Sequence, residues 1–181
     1  GYRRTMMWND TGLPWILPSP NMGTFETAVV YPGQCLLERS NISEARGTTK
    51  PFLFSGAPWI DGEKAARDLN GRNIPGAVFR PVYFIPEKLH EGDNPRNKPW
   101  NKLCSGVEII LTDVKAYRPV ETSLHIIDAY RKTNPDSLKW TPPYPLNELW
   151  SDDTGVEQIL LKSQEETTEF FEQRKKYLLY R

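Results

Sequence analysis

GVEIILTD, running from Gly106 to Asp113, decides the fold class, because it is the clearest strand in the chain: β-branched and large apolar residues follow one another and a turn-forming Thr-Asp pair ends the run. The stretch that follows, PVETSLHIIDAYRKT (119–133), has the spacing of a helix, with Pro119 in its first turn and Leu124, Ile127 and Tyr130 on one face. Upstream, AVFRPVYFIP (77–86) reads as a second strand, and Pro81 places it at a sheet edge or a bulge. PWIDGEKAARDLNGRNIPG (58–76) reads as a helix begun by Asp61 and ended near Asn70–Gly71. Strands and helices therefore alternate without the regularity of a βαβ array. The class is α+β, with a modest, mixed and curved sheet, flanking helices and a C-terminal helix.

The rest of the chain is read in the same way. TAVVY (27–31) and QCLLE (34–38), separated by Pro32–Gly33, read as two short strands, and PFLF (51–54) as another. Residues 1–24 are too rich in Pro and Gly for a regular element, and Trp8, Leu13, Trp15 and Ile16 are expected to anchor them. The segment from Glu87 to Cys104 is a long polar loop, and residues 135–150 form a Pro-rich connector. Two capping boxes, Thr154…Glu157 and Ser163…Glu166, precede a last helix that gathers Phe170, Phe171, Tyr177 and Leu178 on roughly one face.

Composition narrows the function. The chain of 181 residues is long enough for a real core, and its six Trp, eight Tyr and seven Phe bring large buried areas. Lys plus Arg number 23 and Asp plus Glu number 23, so nothing in the charge favours nucleic acid or an anionic membrane surface. There is no apolar run of membrane-spanning length, and the opening GYRRTMMWND lacks a signal-peptide core. Cys35 and Cys104 are too few for a disulfide framework and read as two buried or free thiols. His90, in LHEGD (89–93), and His125 lack partners at metal-ligand spacing, so no metal and no cofactor are expected. No Gly-rich phosphate loop follows a strand, and no G-x-S-x-G elbow marks a hydrolytic serine.

One loop stands out. NISEARGTT, Asn41 to Thr49, concentrates Asn41, Ser43, Glu44, Arg46, Thr48 and Thr49 around Gly47. Arg46 can bind a carboxylate through two parallel hydrogen bonds, and the hydroxyls can serve sugar hydroxyls. Equally, Glu44 and Arg46 can simply pair with each other. PSPNM (18–22) holds Ser19 and Asn21 on a proline-stiffened segment, and Arg80 lies inside an otherwise apolar strand, where a guanidinium needs a partner.

MMWNDTGLPWILPSPNMGTFETAVVYPGQCLLERSNISEARGTTKPFLFSGAPWID (6–61), with LNGRNIPGAVFRPVYFIP, CSGVEIILTDVKAYRP and FEQRKKYLLY in the same order, resembles the C-terminal domain of the NamZ family of bacterial exo-β-N-acetylmuramidases. The resemblance spans nearly the whole chain. It implies that residues 1–181 are one domain, the β-barrel-like, cleft-forming C-terminal half of a two-domain enzyme. A Rossmann-like N-terminal domain, absent from this chain, would be its partner and would carry the catalytic glutamate, so no catalytic residue is assigned here. The implied reaction releases N-acetylmuramic acid from the non-reducing ends of peptidoglycan fragments, outside the cytoplasm. Ser19, Asn21, Asn41, Ser43, Glu44, Arg46, Thr48, Thr49 and Arg80 are the implied cleft or sugar contacts. The alternative is a non-catalytic carbohydrate-binding or interdomain docking module. Two departures from the family pattern are Ala45, where a glycine is usual, and the longer connection between Glu87 and Cys104.

Overall fold

A computed structural model describes residues 1–88, 98–141, 150 and 154–180. They fall into two compact units, Leu17–Tyr144 and a smaller one made of Gly1–Ile16 with Pro145–Arg181. The larger unit holds a three-stranded sheet of β1 (Phe54–Ala57), β2 (Ala77–Phe84) and β3 (Cys104–Leu111). Its order is β1-β3-β2, and both pairings are antiparallel. Pro81 sits on β2, an edge strand, where its missing N–H costs the ladder least. The α+β class holds, with an open sheet among the described strands.

Three helices accompany this sheet: α1 (Phe25–Gln34), α2 (Gly62–Gly71) and α3 (Pro119–Thr133). Asp61 caps α2 as expected, its carboxylate accepting from the Lys64 N–H at 2.9 Å. The fully buried Tyr130 of α3 ties the helix to two strands: its hydroxyl donates to the Ser55 carbonyl at 2.7 Å and accepts from the Val107 N–H at 3.0 Å. Arg72, just past α2, forks between Asp68 and Asp128 and so clamps α2 to α3.

Three expectations are corrected. TAVVY and QCLLE are not strands: the first lies in α1 and most of the second in a 3-10 turn, Cys35–Leu37. The Thr24 hydroxyl caps α1 by accepting from the Thr27 N–H, and burial of Phe25 and Val30 outweighs the weak strand preference of the valines. Pro32–Gly33 is no turn but a contact with α3, because a Cβ on Gly33 would stand 1.9 Å from the Pro119 carbonyl oxygen. PFLF is a turn that reaches its strand only at Phe54, since Phe52 takes a left-handed φ of 63°.

In the smaller unit, the two capping boxes merge into one helix, α4 (Val156–Arg174). Gly155 is the cap position, its N–H donating to the Gln158 side chain, while Ser163 lies mid-helix with its carbonyl accepting from the Thr167 hydroxyl. Trp8 and Trp15 anchor the N-terminal segment edge to face at 5.7 Å, but Leu13 and Ile16 are exposed instead of packed.

Candidate functional site

α2 and α3 engage one face of the sheet, Asn70 bonding to Phe79 and Tyr130 to Ser55 and Val107. On the other, the register sets Phe54, Glu108 and Arg80 in a row across all three strands. The Asn41–Phe54 loop borders this face, and its course follows from its own side chains. Ile42 is buried, and Ser43 pairs with Gly56 at the β1 edge through two backbone bonds of 2.8 and 3.0 Å. Asn41 donates to the Ser137 carbonyl and accepts from the Lys139 N–H, pinning the chain after α3. The Ser43 hydroxyl accepts from the Ala45 N–H, and the Thr48 hydroxyl donates to the Ala45 carbonyl. Thr49 is exposed. Gly47 takes its positive φ freely, but Ala45 and Phe52 also adopt positive φ, which is costly for a residue with a Cβ and persists only where the surroundings over-determine it.

What over-determines it is a buried ion pair. Glu44, with its side chain 2% exposed, meets the ammonium of Lys98, which is 1% exposed and also donates to the carbonyls of Leu37 and Ile42. Burial pushes the Lys98 pKa down, and the Glu44 carboxylate pulls it part of the way back. Arg46 sits above this pair. Its Nη2 pairs with Glu38, its Nε faces Glu44 at 3.5 Å, and its guanidinium lies 5.2 Å from the centre of the Phe52 ring. Phe52 is held in turn edge to face by Tyr31.

A second charged group completes the face. Glu108, buried in β3, receives Lys50 on one oxygen and the fork of Arg80 on the other. Arg80 thus has the partner that its position demanded. In each group a buried carboxylate lies beneath more exposed cations: Arg46, Lys50 and Arg80 are 31, 46 and 61% exposed, whereas Glu44 and Glu108 are almost fully covered; Lys98 is buried with Glu44, and Glu38 stands at the surface beside Arg46. Such a rim suits an anionic ligand.

Burial alone would push the Glu108 carboxyl up, but the hydrogen bonds and charges of Lys50 and Arg80 outweigh it and hold the pKa below its ordinary value. A depressed carboxylate stabilises the fold above its unfolded pKa and loses that contribution as pH falls through the folded one. Stability measured by denaturant titration will therefore fall as pH drops below the ordinary glutamate range, and Glu108→Gln will flatten that limb. An unchanged acid limb in the variant would refute the assignment.

Ser19 and Asn21 close a turn of their own, with the Asn21 N–H 3.4 Å from the Ser19 hydroxyl. Ser43, Glu44, Arg46 and Thr48 come together in one loop, and Arg80 joins through Glu108 and Lys50. Sequence reading missed Glu38, Lys50, Lys98 and Glu108. For Glu108 the signal was present, since the argument that a charge inside an apolar strand needs a partner applies to it as it does to Arg80. Lys98 reads as one more solvated loop cation. Cys35 and Cys104 are free, and burial pushes the Cys104 thiol up to about 12, too high for a reactive thiolate. His90 and the rest of LHEGD lie outside the described residues. Among the described residues no three His, Cys, Asp or Glu side chains gather to hold a metal, and no helix is long and apolar enough to cross a membrane.

Residues 29–180 match the family described as exo-beta-N-acetylmuramidase NamZ, C-terminal. The protein of Bacillus subtilis (strain 168) named peptidoglycan beta-N-acetylmuramidase NamZ is 36% identical over 189 aligned positions, which cover 99% of this chain and 44% of that protein. Two crystal structures of DUF1343 family proteins from Bacteroides fragilis NCTC 9343 share the fold. One has a TM-score of 0.85 at 23% identity and covers all of this chain and 49% of its own; the other has 0.60 at 24%, with 91% and 43% covered. The chain thus spans about half the length of the relatives it matches.

Proposed function

Because this chain belongs to the NamZ C-terminal family of exo-β-N-acetylmuramidases, we propose that it forms one wall of the substrate cleft in a glycoside hydrolase that frees N-acetylmuramic acid from the non-reducing ends of peptidoglycan fragments. The catalytic glutamate lies in an N-terminal domain of the same polypeptide, and the parent protein works outside the cytoplasm on cell-wall material. The observation that carries this reading is the cationic rim over buried carboxylates, with Arg46 at its most constrained point.

N-acetylmuramic acid differs from N-acetylglucosamine by a lactyl ether and therefore by one carboxylate. Arg46 is built to take that group. Phe52 supports the guanidinium from one side and buried Glu44 fixes its Nε edge, so little orientational freedom remains to be lost on binding. Glu38, 38% exposed, is the partner that an incoming carboxylate replaces. Glu44 faces inward and serves Lys98 and Arg46, which makes it the support of the contact. A charge-assisted bond of this kind contributes about 1.5–3 kcal/mol. In the full-length enzyme Arg46→Ala should therefore lose on the order of 10- to 100-fold of its kcat/KM preference for the muramyl over the glucosaminyl substrate.

A second reading, an interdomain docking module, draws on the same pairs, since Arg46 already has two carboxylates of its own. The same variant separates the two. Lowered stability with intact sugar preference would support docking and refute the sugar contact.

A further inference from the structure

The smaller unit carries a surface that its own residues leave open. In α4, a helix of 19 residues, only Val156 and Ile159 are buried. Beyond the first turns the apolar side chains point outward: Leu161, Phe170, Phe171, Tyr177, Leu179 and Tyr180 are between 45 and 88% exposed. Helices in water owe most of their stability to a buried apolar stripe, and two residues make a poor one. Exposed aromatic and leucine side chains concentrated in one terminal segment mark a contact surface. Its aromatic side chains and the Arg174 guanidinium, 4.2 Å from the Phe171 ring centre, are residue types enriched at interfaces.

Two observations identify the occupant. The first residues of the chain reach this surface, for Tyr2 meets Tyr180 edge to face at 5.1 Å. Any polypeptide continuing upstream of Gly1 therefore enters beside the patch. The match is to a C-terminal family, and the relatives have more than half their length outside it. A domain tethered at that point is present at millimolar effective concentration, enough for a modest patch to hold it. We propose that the apolar surface of residues 161–180 is the docking site of the upstream domain of the same polypeptide. This inference rests on the two-domain reading above, but not on the sugar or on Arg46.

Hydrogen exchange followed by mass spectrometry on the full-length protein tests it. The peptide map itself shows whether an upstream domain exists, so failure of the two-domain reading is seen before any exchange is measured. With that domain present, amides in 161–180 should exchange at least about 100-fold more slowly than an unfolded segment, equally at low and high protein concentration. Phe171→Asp with Leu179→Asp should remove that protection while the amides of α1, α2 and α3 keep theirs. Three results would overturn the proposal: unprotected exchange of 161–180 in the unsubstituted protein, protection that rises with concentration and so reports a second copy, or protection that survives the double substitution.

Discussion

Lys98→Met will destabilise the protein by about 3–5 kcal/mol, the cost of stranding a buried charge by removing its partner. Glu44 would keep its place under the Asn41–Phe54 loop with Arg46 Nε as its remaining cation, 3.5 Å away. The carbonyls of Leu37 and Ile42 would lose the same donor, so the ends of two neighbouring segments would loosen together. Denaturant unfolding gives the number, and a second substitution gives the cause. If the cost is an unpaired carboxylate, Lys98→Met with Glu44→Gln should recover a substantial part of the loss, because two neutral groups need no mutual compensation. A single substitution costing less than about 1 kcal/mol, or a double one merely adding the two losses, would show that the pair does not hold the loop. If Arg46 is the sugar contact proposed above, the position has a functional side as well. Glu44 fixes Arg46, so the single variant should also blunt the sugar preference ascribed to that arginine.

Gly47→Ala is expected to be the most damaging of the small substitutions. Gly47 has a φ of +76°, where any side chain is strained by about 1–2 kcal/mol. Its new Cβ would also stand 1.9 Å from the carbonyl oxygen of Glu87, a backbone atom that cannot swing aside. Overpacking adds a further 1–3 kcal/mol or so. Gly12→Ala is the control, since Gly12 has nearly the same φ of +71° with nothing within 4 Å of the new atom. The two variants share the backbone penalty and differ only in the collision. Thermal or denaturant unfolding should place Gly47→Ala about 1–3 kcal/mol below Gly12→Ala, and equal losses would refute the steric argument.

Where local chemistry and tertiary packing agree, the fold was legible. β3, β2, α2 and α3 carry strand or helix patterns, an effective cap at Asp61 and a proline at the edge or in the first turn, and each forms as read. α1 was misread because its two valines and Pro32–Gly33 carry strand and turn signals, whereas its helical state depends on burial of Phe25 and Val30 and on Gly33 admitting the Pro119 backbone. That contact lies 86 residues away in sequence and leaves no periodicity to find. The polar loop was legible as an oddity but not as an arrangement. Its open question, whether Glu44 and Arg46 pair with each other, has a third answer, since each pairs more closely with a residue outside the loop. Ala45 also gains a physical meaning. Its φ of 60° is the conformation a glycine adopts freely, so the methyl is held there against its own preference.

The layering of the charged face separates two properties that usually move together. Glu44 and Lys98 are shut away from the solvent, out of reach of dissolved ions, while the outward sides of Arg46, Lys50 and Arg80 stand within the ionic atmosphere. Salt therefore acts on one layer only. It weakens the outward ion pairs of the rim and leaves the foundation beneath the rim in place.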